Sequence, residues 1–176
     1  MVTCVLYEAD GWGIAELCTD GARVVWHELP RPIAAHPHPG WGGYPPPTPA
    51  TVPNGDARGG DDFVPTLVAS LRAYFAGADV DFEDIELDLD GLTPFGRRLA
   101  SALREIRRGE VVTYGELAAL AGRPGAARAA GTFCAQNRLA IFVPCHRVVA
   151  AAGLGGYGTL GGEYKRRLLA LEHVAL

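Results

Sequence analysis

Near the N-terminus, short runs rich in apolar residues such as Val, Leu and Trp are set apart by polar residues. There are three of them, Thr3–Glu8, Gly13–Cys18 and Arg23–Leu29. Asp10-Gly11 separates the first two runs, and Asp20-Gly21 separates the second from the third. Short runs rich in valine and other strand-forming residues are typical of β-strands, and Asp-Gly between apolar runs is a strong hairpin signal. The pattern therefore predicts an antiparallel meander of three strands.

Residues 30–60 contain most of the prolines and many glycines, which predicts a long surface loop. From Phe63 to Ala76 apolar side chains recur at helical spacing, and Gly77 follows, so a helix is expected there. Beyond it, apolar residues over 85–89 alternate with acids and indicate one more strand or an extended linker. A domain boundary is expected near Asp90-Gly91.

Helical patterns dominate the second half of the chain. Thr93-Pro94 is a favourable N-cap followed by proline at the first helical position. Thr113-Tyr114-Gly115-Glu116 is a capping box that begins a short helix, and a second short helix is expected over Ala126–Ala135. Two short helices with a glycine-containing turn form the pattern of a helix-turn-helix, although many proteins that do not bind DNA also contain it. The last helix is expected over Glu163–Val174.

A continuous apolar run, Leu139–Val143, predicts a buried strand that leads into Cys145-His146-Arg147. A polar triplet at the end of a strand is a common place for a functional site. Cysteine reacts as the thiolate, and the neighbouring His146 and Arg147 would lower its pKa. Adjacent residues on a strand point to opposite faces, so contact between Cys145 and His146 requires a turn or a bridging water. A buried structural cysteine is the alternative.

Two other side chains stand out from their surroundings. Glu172 falls among core-facing positions of the last helix, where a carboxylate needs a partner such as His146. A solvated glutamate at a frayed helix end is the alternative. Arg128 is the one charged residue in Ala126–Gly131, a face of small side chains. Against DNA it could enter a groove or replace a displaced base, whereas ordinary close helix packing is the alternative.

Charge is distributed unevenly along the chain. Residues 1–90 contain 15 acidic and 4 basic residues, whereas residues 91–176 contain 12 basic and 5 acidic ones. The resulting net charges of -11 and +7 indicate two domains with different roles, of which the basic one could bind phosphates. No apolar run reaches the ~18 residues that cross a bilayer, and no secretory signal begins the chain, so an intracellular protein without a membrane partner is expected.

Four cysteines, at positions 4, 18, 134 and 145, are spread along a chain that is long enough to fold without cross-links. Free thiols in a reduced compartment are therefore expected rather than a disulfide framework. Cys4, Cys18 and His27 lie on adjacent predicted strands and could converge on zinc, but their spacing matches no recognised zinc signature. Core residues without a metal are the expectation.

Pro144-Cys145-His146-Arg147-Val148 is the hallmark of the O6-alkylguanine-DNA alkyltransferases, which the chain resembles over about residues 63–175. The other matching positions are Tyr74-Phe75, Thr113-Tyr114, Leu117-Ala118, Ala126–Gly131, Asn137, the glycine-rich loop Gly153–Gly162, Lys165, Leu168-Leu169 and Glu172. The resemblance implies an α+β protein. Residues 1–90 would form an N-terminal RNase-H-like α/β domain, and residues 91–176 a C-terminal winged helix-turn-helix domain.

The same resemblance implies direct repair of double-stranded DNA, by irreversible transfer of an alkyl group from O6-alkylguanine, and from O4-alkylthymine, to Cys145. The base would be flipped out of the duplex. His146 would take the thiol proton through water and Glu172 would orient His146, while Tyr114 and Asn137 complete the catalytic group. No cofactor and no metal are implied. A cytoplasmic monomer is expected, and cooperative binding to DNA is left open.

The remaining site residues implied by the resemblance fall into two groups. Those that would contact DNA are Arg128, Ala127, Ala129, Gly131, Thr113 and Arg147. Those that would line the alkyl pocket are Pro144, Val148, Tyr157, Gly158 and Thr159. The chain departs from the family at Arg138, where proline is usual, at Ala140, often proline or another small residue, and in a longer loop before Gly161-Gly162. The range of accepted alkyl groups therefore stays open.

Three other functions compete with this interpretation. A non-catalytic lesion binder would share the scaffold but usually lacks the cysteine that is present here at position 145. A helix-turn-helix regulator would bind a preferred sequence without covalent change, whereas a mostly alanine face predicts binding that is independent of sequence. A cysteine hydrolase would require turnover and oxyanion donors, and no such signature is visible.

Overall fold

The computed structural model describes residues 1–32 and 62–176, so the expected loop lies almost wholly outside the described residues. The chain is mixed α/β and divides into two compact units. The first is Met1–Asp88 with Arg138–Ala140, and the second is Leu89–Asn137 with Ile141–Leu176. The elements in chain order are β1 (Val2–Ala9), β2 (Gly13–Asp20), β3 (Arg23–Arg31), α1 (Phe63–Phe75), β4 (Glu86–Leu87), α2 (Pro94–Arg104), β5 (Val112–Thr113), α3 (Tyr114–Leu120), α4 (Ala127–Ala135), a 3-10 helix (Cys145–Arg147), β6 (Val148–Val149) and α5 (Gly161–Leu171).

The first unit is built on the predicted meander, which the structure confirms. Strand β1 pairs antiparallel with β2 from Val2↔Asp20 to Ala9↔Gly13, and β2 pairs antiparallel with β3. The short β4 joins β3 in parallel, so the alternation over residues 85–89 produces a two-residue strand. Helix α1 buries Leu67, and Trp12 fixes its end by donating from Nε1 to the Phe75 carbonyl at 3.0 Å.

Strand β3 continues to Arg31, although Pro30 was expected to begin the loop. The register between β2 and β3 shifts between Ile14 and Glu16. The shift marks a β-bulge, where Pro30 is tolerated although it has no backbone N–H to donate. Gly13 sits at the same end of the sheet with a φ of 108°, and a Cβ there would lie 1.9 Å from the Arg31 carbonyl oxygen. The hairpin end therefore requires glycine.

Cys4 and Cys18 form a disulfide bond, so the expectation of free thiols is wrong for this pair. The two residues face each other across β1 and β2, and their Cα atoms are 4.0 Å apart. His27 does not join them, because its ring bonds to the Tyr7 hydroxyl and to the Ala140 carbonyl. The three residues considered as zinc ligands therefore do not converge.

The second unit contains the predicted helices. The Thr93 hydroxyl caps α2 by accepting from the Gly96 N–H at 3.0 Å. The capping box is formed in both directions, because Thr113 accepts from the Glu116 N–H while the Glu116 carboxylate accepts from the Thr113 N–H at 2.7 Å.

Among the described residues, none of the helices has the length and apolar character that a membrane crossing requires.

The strand expected over Leu139–Val143 is wrong. These five residues are buried, as predicted, but they form turns, and Leu139 makes only an isolated bridge to His27. Ile141 has a φ of 74°, a left-handed conformation that a β-branched residue rarely adopts and that interrupts any strand. An apolar run shows that a segment is buried but cannot distinguish a strand from a buried turn.

Candidate active site

Asn137 organises the turn that carries Cys145. Its side-chain amide donates to the Val143 carbonyl at 2.7 Å and to the Cys145 sulfur at 3.1 Å. Pro144 caps the 3-10 helix that Cys145 begins, and the Arg147 N–H donates back to the Pro144 carbonyl. A turn, one of the two alternatives expected at Cys145-His146, is therefore present, and one amide side chain contacts both the turn and the sulfur.

The Cys145 thiol is almost enclosed, with 6% of the residue exposed. The Tyr157 hydroxyl lies 3.9 Å from the sulfur. Burial raises the pKa of the Cys145 thiol, while hydrogen bonds from Asn137 and Tyr157 and the charge of Lys165 oppose that rise. The net direction is upward, so the expectation that adjacent cations lower the pKa of this thiol is wrong. The thiol carries its proton at neutral pH and needs a base before it can attack.

His146 and Glu172 form the expected pair in the interior. His146 Nε2 lies 2.9 Å from Glu172 Oε1, and both side chains are fully buried. Burial lowers the pKa of His146 despite the neighbouring carboxylate, so the ring is neutral at neutral pH. Because a carboxylate only accepts hydrogen bonds, Nε2 carries the hydrogen, and Nδ1 is the basic nitrogen that can take a proton.

Glu172 ends α5 as its C-cap residue, and the alternative of a solvated side chain is wrong. Burial alone would raise the pKa of Glu172, but hydrogen bonds and charge from His146 and Arg147 outweigh it and hold the pKa well below its usual range. Arg147 donates from Nε to Oε2 and from Nη2 to Oε1, both at 2.9 Å. The carboxylate is thus ionised and balanced by a permanent cation.

Arg147 was expected to contact DNA, but its side chain lies mostly in the interior. Besides its two bonds to Glu172, its Nη1 donates to the Ile106 carbonyl at 2.5 Å, and only 12% of its side chain is exposed. The guanidinium is therefore bound to internal partners, and it contacts both oxygens of the carboxylate that pairs with His146. Thr113 is similarly committed, because its hydroxyl is used in the capping box with Glu116.

Lys165 matches the family pattern, but its burial was not predicted from the sequence. It is fully buried, whereas its neighbours Arg166 and Arg167 are exposed. Its ammonium donates to the carbonyls of Val148 at 2.5 Å and Leu154 at 2.7 Å, and contacts the Gly156 carbonyl at 3.4 Å. Positions 165, 168, 169 and 172 form one helical stripe, so the spacing itself contained the signal. Lys165 ties the glycine-rich loop to the strand that follows the thiol.

Replacing Lys165 with methionine is expected to lower the free energy of unfolding by about 2–4 kcal/mol, because buried carbonyls of Val148 and Leu154 lose their donor. Denaturant titration followed by circular dichroism measures the change. Arg166→Met is the matched control, since Arg166 is exposed on the same helix and its partners, the Glu163 carboxylate and the Leu176 carbonyl, are exposed as well. Equal losses in the two variants would contradict a structural role for the buried ammonium.

Tyr114 is the first residue of α3 and is half-buried. Its ring lies near Gly131 of α4 and near Gly155 of the glycine-rich loop, at 3.9 Å and 3.7 Å from the position a Cβ would take on each glycine. The Lys165 ammonium lies 6.0 Å from the ring centroid. Burial raises the pKa of Tyr114, and Cys134 and Cys145 add to the rise, so its hydroxyl remains a proton donor at neutral pH.

Helix α4 presents the expected face of small residues. Arg128 and Ala129 are exposed, and Ala127 and Gly131 are partly exposed. Of the expected pocket residues, Pro144, Val148 and Tyr157 are buried around the thiol turn, whereas Gly158 and Thr159 lie at the surface. The exposed arginine on a flat face is thus present as predicted, and the pocket group is divided between the interior and the surface.

Arg98 and Arg123 are further exposed cations, which were not predicted to be site residues. Their guanidinium carbons lie 5.7 Å and 5.1 Å from the centroid of the Phe95 ring. Arg98 also donates to the Ala121 carbonyl at 2.9 Å, at the end of α3. Two guanidinium groups are therefore held against one aromatic ring beside the turn that joins α3 to α4.

Comparison with known proteins identifies what this arrangement resembles. A family model described as the DNA-binding domain of 6-O-methylguanine DNA methyltransferase matches residues 94–174. Methylated-DNA–protein-cysteine methyltransferase of Mycolicibacterium paratuberculosis is 54% identical over 106 residues, which span 60% of this chain and 62% of that protein. The protein of the same name from Methanopyrus kandleri is 45% identical over 107 residues, 61% of this chain and 79% of that protein.

Solved structures show the same likeness over nearly the whole chain. The crystal structure of Mycobacterium tuberculosis OGT in complex with DNA superposes with a TM-score of 0.75 at 38% identity, covering 97% of this chain and 93% of that one. The sequence match to the mycobacterial relative, by contrast, covers less than two thirds of its length. The structural likeness therefore extends into the N-terminal part, where the sequences have diverged further.

Proposed function

This chain belongs to the 6-O-methylguanine DNA methyltransferase family, and from that premise we propose that it repairs alkylated DNA by moving the alkyl group from guanine O6 to Cys145. The observation that carries the proposal is the enclosed Cys145 thiol with the Asn137 amide at 3.1 Å from its sulfur. A donor at that distance stabilises a thiolate as it forms.

The bonding changes of the proposed reaction balance without a cofactor. His146 takes the Cys145 proton at Nδ1 through a bridging water, and the thiolate attacks the alkyl carbon. The sulfur–carbon bond forms as the carbon–O6 bond breaks, and Tyr114 donates a proton to the departing guanine. Exchange with water then moves the proton held by His146 back to Tyr114, so both side chains return to their neutral forms. Attack at a saturated carbon needs no oxyanion hole. The product is a thioether with no group poised to cleave it, so each molecule acts once.

Glu172 and Arg147 support the proposed proton transfer. A neutral His146 becomes a cation when it accepts the thiol proton, and the ionised Glu172 stabilises that charge at 2.9 Å. Arg147 keeps Glu172 ionised in the resting protein. The pair of buried side chains therefore favours a base that is neutral before the reaction and charged during it.

The proposed partner is double-stranded DNA that carries O6-alkylguanine or O4-alkylthymine. Helices α3 and α4 would act as a helix-turn-helix within a winged-helix domain, and the N-terminal unit as an RNase-H-like domain. Arg128 would fill the gap left by the flipped base, with Ala127, Ala129 and Gly131 allowing close approach. Arg98 and Arg123 would contact phosphates. We propose that the protein acts as a cytoplasmic monomer.

Intact-mass spectrometry tests the proposed function directly. Mixing the protein with a duplex that contains O6-methylguanine should add one methyl group, about 14 Da, to the protein and restore guanine in the DNA. An excess of lesion over protein should add no more than one group per molecule. Tight binding to the lesion without a mass change would instead identify a non-catalytic lesion binder.

Replacing Arg128 with alanine is expected to slow transfer from duplex DNA about tenfold or more, because the gap in the base stack is no longer filled. Transfer from a single-stranded oligonucleotide should change much less, since no stack has to be opened. Single-turnover rates on both substrates give the comparison. Arg166→Ala removes the same charge from the exposed face of α5 and serves as the control. Equal slowing on both substrates would contradict the proposed role.

A further inference from the structure

The turn that carries the site is interrupted by three residues that belong to the other unit. The chain leaves the second unit after Asn137, contributes Arg138–Ala140 to the first unit, and returns at Ile141. Asn137 is thus covalently joined to a segment whose contacts lie with the N-terminal sheet. Whatever fixes this segment also restricts Asn137.

His27 on β3 makes two bonds to the segment. Its backbone N–H donates to the Arg138 carbonyl at 2.9 Å, and its Nδ1 lies 2.7 Å from the Ala140 carbonyl oxygen. Leu139, between them, is 3% exposed and forms a bridge with His27 itself. One residue of the sheet therefore holds both ends of the three-residue segment.

The partners of His27 determine its tautomer. A carbonyl oxygen only accepts, so Nδ1 carries the hydrogen and donates to Ala140. Nε2 is then the acceptor for the Tyr7 hydroxyl, which lies 2.7 Å away. Burial lowers the pKa of His27 to about 4, although the bond to Ala140 opposes this, so the ring stays neutral at neutral pH. In the contact with Ala140, His27 Nδ1 is therefore the donor and the carbonyl oxygen is the acceptor.

Arg138 adds a second anchor at the beginning of the segment. Its Nη2 donates to the Asp88 carbonyl at 3.1 Å and to Asp88 Oδ2 at 3.3 Å. The Arg138 guanidinium therefore holds the beginning of the segment against Asp88.

We propose that His27 and Arg138 are positioning residues for alkyl transfer, which fix segment 138–140 and thereby hold the Asn137 amide at the Cys145 sulfur. The proposal rests on the proposed function for the transfer step. Asn137 contacts the sulfur at 3.1 Å, and a displacement of about 1 Å is enough to lose such a bond. The thiolate would then form without its amide donor.

The test compares His27→Phe with His27→Asn. Phenylalanine keeps the ring but removes both ring hydrogen bonds, whereas the asparagine amide can still donate to the Ala140 carbonyl. The first readout is the rate of Cys145 alkylation by iodoacetamide as a function of pH, followed on the peptide that contains Cys145. The second is the single-turnover rate on duplex DNA with O6-methylguanine.

His27→Phe should shift the alkylation profile of Cys145 to higher pH and slow transfer roughly tenfold, the effect of one lost charge-assisted hydrogen bond. His27→Asn should restore most of both. Arg138→Ala should change both in the same direction to a smaller extent, because its bonds are partly exposed. Trp12→Phe removes a buried hydrogen bond elsewhere in the first unit and should lower stability without moving the profile.

Profiles for His27→Phe and Arg138→Ala that coincide with that of the wild type would overturn the proposal and leave both residues with a purely structural role. If His27→Phe does not fold, Arg138→Ala decides the question alone. Failure of the proposed function is distinguishable, because it would appear as no methyl gain in the wild type. The iodoacetamide profile needs no DNA and would still decide the positioning role.

Discussion

Replacing Cys145 with serine is expected to abolish alkyl transfer to the protein. The nucleophile in this chemistry is a thiolate, and a serine hydroxyl at the same place is both harder to ionise and less polarisable. Asn137 would still offer its amide and His146 its base, so the rest of the site remains intact. The wild type should gain about 14 Da from a duplex with O6-methylguanine, and the variant should gain nothing.

Cys134 supplies the matched control for that experiment. It is the other free thiol, because Cys4 and Cys18 are joined in a disulfide. Burial raises the pKa of Cys134, and the nearby Cys145 adds to the rise, so Cys134 is a poor nucleophile. Cys134→Ser should therefore gain the methyl group like the wild type. A methyl group found on another residue of Cys145→Ser would show that the acceptor has been misassigned.

Replacing Glu172 with glutamine is expected to lower the free energy of unfolding by about 3–5 kcal/mol, because Arg147 loses the charge that balances it in the interior. Transfer should slow as well, since a neutral amide no longer stabilises the imidazolium of His146. Denaturant unfolding and single-turnover transfer measure the two effects. Glu163→Gln is the control, because Glu163 lies on the same helix with 89% of its side chain exposed.

The pH dependence of stability separates Glu172 from its neighbours. Its pKa in the folded protein lies below the ordinary value of 4.5, so its stabilising contribution is present above that pH and is lost as the pH falls further. His146, with a pKa lowered from 6.5, destabilises the fold already as the pH falls below 6.5. The difference in the free energy of unfolding between the wild type and Glu172→Gln should therefore persist down to about pH 4.5 and shrink below it. A difference that is constant from pH 7 to pH 3 would contradict the ion pair.

Local signals in the sequence predicted the elements whose structure is decided by neighbours along the chain. Asp10-Gly11 marks the first hairpin and Thr113 caps α3, because in both cases the necessary groups lie within four residues of one another. The disulfide could have been found in the same way. Cys4 and Cys18 are equally distant from Gly11 at the centre of the first hairpin, so a regular register places them opposite each other.

Structural features that depend on residues far apart in the sequence could not be predicted from local patterns. The run Leu139–Val143 has the composition of a strand, but its carbonyls are used by His27 and Asn137, which hold it in turns. Arg147 is of a residue type that usually lies at the surface, but its partners Glu172 and Ile106, both distant along the chain, hold it in the interior. The pKa of Cys145 likewise depends on burial, which a dipeptide of cysteine and histidine does not reveal.

Segment 138–140, which belongs to the first unit, affects how the protein can be divided for engineering. A fragment that begins at residue 89 keeps the thiol and its partners but lacks the sheet that covers Leu139 and Ala140, which are 3% and 7% exposed in the intact chain. Arg138 would lose Asp88 as well. Such a fragment would expose the apolar side chains of Leu139 and Ala140 close to its reactive cysteine. Polar replacements at 139 and 140 would therefore be needed to keep such a fragment from associating through these side chains.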